Sequence, residues 1–300
     1  RAPEASDHAS TNPWRKPVTT TSPTTRHDRV DELMEDLVAG VAELTSGEAW
    51  RRWLDVARRF RGYSFWNTVA ILTQAPHATH VAGYRRWQTL GRQVRRGQHP
   101  IHILAPHKRR HTASDDITGE EETTTRVAGW KVVGVFDISQ TVGPPLPEFP
   151  ISQLEGTDHG LLGHQLEALI RAEQYEVRVG PMPLGYERAN GLTNFASRVV
   201  TVRLDLSPAQ AAKTTAHELA HVLLHRPGTH DLDRPSQEIE AESVAYLVCG
   251  AHHLDTDAYS FGYVASWSGG HTDRIRATSE RVLGCARNVV DRLGTPEKAA

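Results

Sequence analysis

A chain of 300 residues with 38% apolar side chains can bury one large core or two modest ones, and 34 basic against 36 acidic residues leave it a net charge of −2. Near-neutrality excludes recognition of a polyanion through bulk charge, so any such recognition must come from local patterning. Two cysteines are too few for a disulfide framework, and no apolar run approaches the ~18 residues of a membrane span.

Residues 1–26 hold six Thr, three Ser and four Pro, with Trp14 and Val18 their only large apolar side chains, which predicts a disordered tail. No hydrophobic segment of signal-peptide type occurs there, so a cytoplasmic location is expected. From Asp28 the pattern changes. Val30, Leu33, Met34, Leu37, Val38, Val41 and Leu44 recur at the spacing of an amphipathic helix that ends near Gly47. Trp50, Trp53, Leu54, Val56 and Phe60 predict a second helix to about Arg61, and 65–73 a third. Over 81–105 the reading shifts to short β-like runs at 93–94 and 101–104, broken by Gly91, Gly97 and Pro100. The hydrophilic stretch 111–125 reads as a hairpin loop before a strand over 127–138.

Between Val81 and Ser114 there is no acidic residue but eight basic ones: Arg85, Arg86, Arg92, Arg95, Arg96, Lys108, Arg109 and Arg110. Such segregation in a nearly neutral chain is an electrostatic footprint for a polyanion. Interleaved aromatics, Tyr63, Phe65, Trp66, Tyr84 and Trp87, supply rings on which unpaired bases can stack. The plain alternative is a basic solvated face over an aromatic core, and residue types alone leave both open.

Four prolines in residues 143–150 mark a linker. The expected organisation is therefore a tail at 1–26, a first domain at 27–142, the linker at 143–150 and a second domain at 151–295. In the second domain a helix over 161–174 precedes strands at 176–179, 190–195 and 198–204. The last of these is expected to offer a free edge to an extended peptide. A further helix spans 272–293, and Cys249 and Cys285 read as reduced core thiols.

The segment 207–225 carries His217-Glu218-x-x-His221. Ser207 with Gln210 forms a capping box and Pro208 takes the first helical position, so the start of the helix is well marked. Histidines four apart share one helix face and can converge on one ion, with Glu218 beside them as general base. Leu219, Val222, Leu223 and Leu224 predict burial, and buried imidazoles without a partner are costly. Leu224 and Pro227 stand where a metzincin needs Gly and His, so a third ligand must come from elsewhere. Glu238 and Glu242 share a face of the next helix, whereas Glu240 points away. Glu238 is taken as the ligand and Glu242 as the partner orienting a ligand histidine, with the reverse left open. His225 lies one turn beyond His221 and is read as too far along the helix to be a third ligand. Two imidazoles and a carboxylate suit zinc, and manganese fits as an alternative.

The runs YSFWNTVAIL (63–72), GYRRWQTLGRQVRRG (83–97) and PIHILAP (100–106) resemble the N-terminal domain of ArdC-type antirestriction proteins. HELAH (217–221) with EIEAESVAY (238–246) resembles the metallopeptidase-like domain of the same proteins, akin to that of the ImmA and IrrE regulators. The resemblance covers about residues 28–290 in the family's domain order, and Asn67, Trp87, Gly91 and Gly97 match family motif positions. It implies an α+β fold of two domains. The first, helical with a small sheet, would bind single-stranded DNA; the second would be a zincin-like metallopeptidase, and the whole would protect mobile-element DNA from restriction.

The expected function is thus single-stranded DNA binding through Arg85, Arg86, Trp87, Arg92, Arg95 and Arg96, joined to a metal-dependent peptidase acting on a peptide or protein substrate. No membrane partner is expected. The alternatives are a non-catalytic DNA-protecting protein with a structural metal, or an ImmA-like regulatory protease that cleaves a repressor. No residue is assigned to the oxyanion; Tyr246, Tyr259 and Tyr263 lie downstream of the site.

Overall fold

The computed structural model describes residues 26–114, 121–146, 159–229, 232–252, 254 and 271–294. The Pro-rich linker beyond residue 146 and nearly all of the N-terminal tail lie outside the described residues. No described helix is long and apolar enough to cross a membrane.

Three helices open the fold: α1 (Arg26–Ala42), α2 (Gly47–Arg59) and α3 (Phe65–Gln74). Ser46 and Ser64 cap the latter two, their hydroxyls accepting from the Ala49 and Asn67 amides, which satisfies donors the first helical turn leaves free. The buried face of α2 carries Trp50 and Trp53, and the Trp53 indole donates to Thr68 Oγ1 on α3 at 3.0 Å. Strands β1 (Val81–Gly83), β3 (Ile101–Ser114) and β4 (Glu121–Asp137) form an antiparallel sheet in the order β1-β4-β3, and β2 (Gln93–Val94) pairs with β5 (Thr141–Val142).

Two local expectations are corrected here. Residues 84–89, read among β-like runs, form a short helix, α4 (Tyr84–Thr89), because its one large apolar residue, Trp87, turns into the core while its neighbours face solvent. The stretch 111–125 is mostly ladder: β3 and β4 pair as far as Ser114 and Glu121. Backbone groups, which every residue supplies, carry that pairing, so a segment without apolar alternation still forms strands.

The family motif positions in this half are structural. Asn67 pairs with the Leu104 backbone like a neighbouring strand, donating to its carbonyl at 2.9 Å and accepting from its amide at 2.8 Å. That locks α3 to β3. Gly91 and Gly97 hold left-handed backbone at φ 72° and 83°, where a Cβ is strained.

The second half contains α5 (His159–Ala172), β6 (Glu176–Gly180), β7 (Gly191–Asn194), β8 (Val199–Arg203), α6 (Pro208–Leu224), α7 (Arg234–Ala251) and α8 (Thr272–Leu293). The sheet order is β6-β8-β7, with β6 parallel and β7 antiparallel to β8. The strand expected to present a free edge, β8, is therefore central; among the described residues β6 and β7 are the edges, because β7 pairs with β8 and covers it.

The apolar cores of the two halves merge into one. Trp50 of α2 donates to Ser243 of α7 at 2.8 Å, and Tyr246 of α7 donates to Asp55 of α2 at 2.6 Å. Arg58 lies 5.8 Å over the Tyr246 ring, beside Gly250, where a Cβ would come within 2.6 Å of the arginine chain. Both cysteines are buried in this core and neither forms a disulfide among the described residues.

Candidate metal centre

Ser207 caps α6 by accepting from the Gln210 amide at 3.3 Å, and Pro208 begins the helix. Only half of the expected capping box is made, since the Gln210 side chain turns to Thr214. The helix buries Ala212, Thr215, Ala216, Leu219, Ala220 and Val222. This fixes its rotation and directs the 217/221 pair toward α7.

There His217 and His221 bring their Nε2 atoms within 3.1 Å of each other, and Glu238 Oε2 of α7 stands 3.3 Å from the first and 3.7 Å from the second. A tetrahedral ion with ligands at ~2.0–2.1 Å separates its donors by roughly 3.4 Å, so this donor set fits one divalent ion. The three residues form a metal-competent cluster among the described residues. Glu242 approaches from behind: Oε2 is 3.1 Å from His217 Nδ1 and Oε1 is 3.0 Å from Lys213 Nζ. The two glutamates that share a helix face thus have different partners, one at the convergence point and one on the far nitrogen of a histidine.

Charge in the site is tightly coupled. Burial pulls the His217 pKa down, but bonds to Glu238 and Glu242 and the nearby Glu218 charge outweigh it and raise it to about 9. Bonds to His217 and His221 hold the Glu238 carboxyl far below its usual range. Glu242 is also lowered, as its bonds to His217 and Lys213 overcome the opposing effect of burial.

Glu218 is 5% exposed, and its Oε2 accepts from Thr193 Oγ1 of β7 at 2.7 Å. Room for this carboxylate comes from Gly191 on the same strand, where a Cβ would lie 2.6 Å from Glu218 Oε1. Edge strand β7 therefore borders the site and shapes it. Neither Thr193 nor Gly191 was legible in the sequence as part of the site.

A second buried cluster lies behind His221. His225 Nδ1 is 2.9 Å from His221 Nδ1, and its Nε2 is 3.1 Å from Glu240 Oε2. The other Glu240 oxygen accepts from Thr278 Oγ1 at 3.0 Å and Arg281 Nε at 2.9 Å, both on α8. Glu240 does point away from the ion position, as its helical offset implies, but it is fully buried. A carboxylate between Ile239 and Ala241 on a buried helix signals a hidden cation. Arg281, 41 residues on, could not be picked out by spacing.

Tyr246, downstream of the site, donates to Asp55 and packs in the core; Tyr259 and Tyr263 lie outside the described residues.

In the basic segment, Arg85, Arg86, Arg95 and Arg96 are exposed. Arg92 is turned inward, its guanidinium donating to Thr141 Oγ1 and to the Gly143 carbonyl at 3.0 Å, and Arg95 donates to the Ser139 carbonyl. Trp87 is a correction: its ring is 1% exposed and its indole donates to the Phe136 carbonyl at 2.8 Å, so it cannot stack on a base. A tryptophan one residue after two exposed arginines looks the same in sequence whether it faces in or out. Among the described residues of the N-terminal half, the exposed rings are instead Tyr84 and, missed by the sequence reading, Trp130 on β4.

Comparison with known proteins places these two halves. Residues 4–136 match the model of the N-terminal domain of anti-restriction factor ArdC, and residues 172–255 match a peptidase M78 model described as an IrrE N-terminal-like domain. An uncharacterised protein of Bacillus anthracis is 25% identical over 278 residues, covering 80% of this chain and 47% of that protein. The chain thus spans about half the length of that curated relative. Solved structures of antirestriction ArdC protein from the R388 plasmid are also similar. The metal-free form has a TM-score of 0.49 at 23% identity, over 77% of this chain and 85% of that one. The Mn(II)-bound form has a TM-score of 0.48 at 18% identity, over 82% and 99%.

Proposed function

From a chain that joins an ArdC-type antirestriction domain to an IrrE-like, peptidase-like domain, we propose a single-stranded DNA-binding protein whose second domain is a metal-dependent peptidase. The observation that carries the peptidase reading is the convergence of His217, His221 and Glu238 beside a buried carboxylate, Glu218, that none of those three ligands needs. A structural site requires ligands but no base.

In this reading His217, His221 and Glu238 hold a divalent ion, zinc first and manganese as the alternative. When bound, the ion supplies Lewis acidity that lowers the pKa of a water and polarises a carbonyl. Glu218 accepts the proton of the attacking water and passes it to the leaving amine. Thr193 holds the Glu218 carboxylate in place through its hydroxyl. Glu242 orients His217 through Nδ1. The edge of β7 that is unpaired among the described residues, next to Glu218, is suited to pairing with an extended peptide.

The nucleic-acid surface is proposed on Arg85, Arg86, Arg95 and Arg96, with Tyr84 as the exposed stacking ring and Arg92 bracing the loop beneath. Its arginines bind phosphates without reading base edges. The test is to measure metal content together with peptide hydrolysis, with and without single-stranded DNA. Stoichiometric metal with hydrolysis that vanishes in a chelator supports the reading; tightly bound metal with no hydrolysis of a peptide library, DNA present or absent, favours a structural ion.

A further inference from the structure

Resting on the metal site proposed above, the geometry points to His225 and Glu240 as positioning residues that fix His221 as an Nε2 donor. His225 is one turn beyond His221 on α6, with its side chain 1% exposed. Its Nδ1 faces His221 Nδ1 at 2.9 Å, and two ring nitrogens at that distance share a single proton, since paired lone pairs or paired N–H groups repel. Which ring holds the proton is decided at the far end of the cluster.

Glu240 terminates it. Its Oε1 takes donors from Thr278 and Arg281, and an arginine can only donate, so the ion pair keeps Glu240 an acceptor. Glu240 Oε2, 3.1 Å from His225 Nε2, therefore receives the His225 proton. With its proton on Nε2, neutral His225 has a lone pair at Nδ1. His221 must then donate Nδ1–H, which leaves its own Nε2 with a lone pair facing His217 and Glu238. Each donor in the path from His221 through His225 to Glu240 meets an acceptor. His217 gives Nδ1–H straight to Glu242, and in the metal-free protein its Nε2 carries the proton that faces the His221 lone pair and Glu238 until an ion displaces it. The two ligand histidines are thus oriented by different carboxylates of α7, one in direct contact and one through an intervening imidazole.

In the full-length protein, Zn(II) affinity, read by competition with a chromogenic chelator, should fall about 10- to 100-fold in His225→Phe, which fills the space but offers no acceptor. His225→Gln, whose carbonyl can accept from His221 while its amide donates to Glu240, should recover part of that loss, and the visible spectrum of the Co(II)-loaded protein should follow the same order. A merely structural role would lower thermal stability without that order. Ring 15N shifts of the metal-free parent should show His221 protonated at Nδ1; protonation at Nε2 overturns the proposal even if the phenylalanine variant does not fold. Undiminished Zn(II) affinity in folded His225→Phe, while His217→Ala loses the ion, overturns it and leaves the metal site standing. A parent protein that binds no Zn(II) or Co(II) overturns the metal reading itself.

Discussion

Trp50 and Ser243 are 193 residues apart in the chain, yet the indole N–H of the first reaches the hydroxyl of the second at 2.8 Å in a fully buried contact. Ser243 directly follows Glu242 on α7. The helix that carries both site carboxylates is therefore clamped on another face by α2 of the N-terminal half. Trp50→Phe removes the donor and leaves the Ser243 hydroxyl buried without it, which should cost about 1–3 kcal/mol. Because the core is continuous, denaturant unfolding of parent and variant should show one transition by tryptophan fluorescence and by circular dichroism alike. Two separated transitions would mean that the halves are thermodynamically independent.

His217→Ala should lose most bound metal by elemental analysis. Glu238→Gln should do the same, whereas Glu242→Gln should retain the ion with affinity weakened about 10- to 100-fold, as expected for a partner behind a ligand. The opposite order for the two glutamates would exchange their roles.

Glu218→Gln keeps the shape of the site and the bond from Thr193 but removes the base. Metal content should be unchanged, and peptide hydrolysis should fall roughly 10²- to 10⁴-fold. Hydrolysis at the parental rate would fault the proposed proton transfer.

In metal-free protein the His217 pKa lies at about 9, above its ordinary 6.5, so its proton favours the folded state. That contribution is complete below about 6.5 and disappears as pH rises through about 9. Glu238 has the opposite sign: held low by the histidines, it stabilises above its ordinary 4.5 and loses that effect as pH falls through its depressed folded value. An entering ion must displace the His217 proton, so apparent metal affinity should rise about tenfold per pH unit between roughly 6.5 and 9. Calorimetry in buffers of different ionisation enthalpy should count about one proton released per ion at neutral pH.

For single strands each neutralised phosphate contributes about 0.7 to the logarithmic salt slope. Replacing Arg85, Arg86 and Arg96 with Gln in the full chain should lower the slope by about 0.7 for each that meets a phosphate. Tyr84→Ala should weaken binding by ~1–3 kcal/mol with the slope unchanged. Trp87→Ala should instead destabilise the fold by ~3–5 kcal/mol, since its ring is core. Fluorescence anisotropy over a salt series reads the first two and denaturant unfolding the third, and a slope that survives the triple variant would move the interface elsewhere.

The residues alone determined what depends on neighbours within a turn or two. The spacing of His217 and His221, the Ser207 cap and the shared face of Glu238 and Glu242 follow from helical periodicity, and the domain order followed from family motifs. What the tertiary structure decided are pairings across long separations. Glu238 meets the histidines while Glu242 meets His217 Nδ1 and Lys213, because the packing of α6 on α7 sets which turn lies opposite which. Glu240 finds Arg281 only where α8 closes over α7. Trp87 faces inward because the Phe136 carbonyl and the sheet lie beneath it, and β7, not β8, forms the edge beside Glu218 because the chain folds back there. Local periodicity states which residues share a face; only packing states what that face meets.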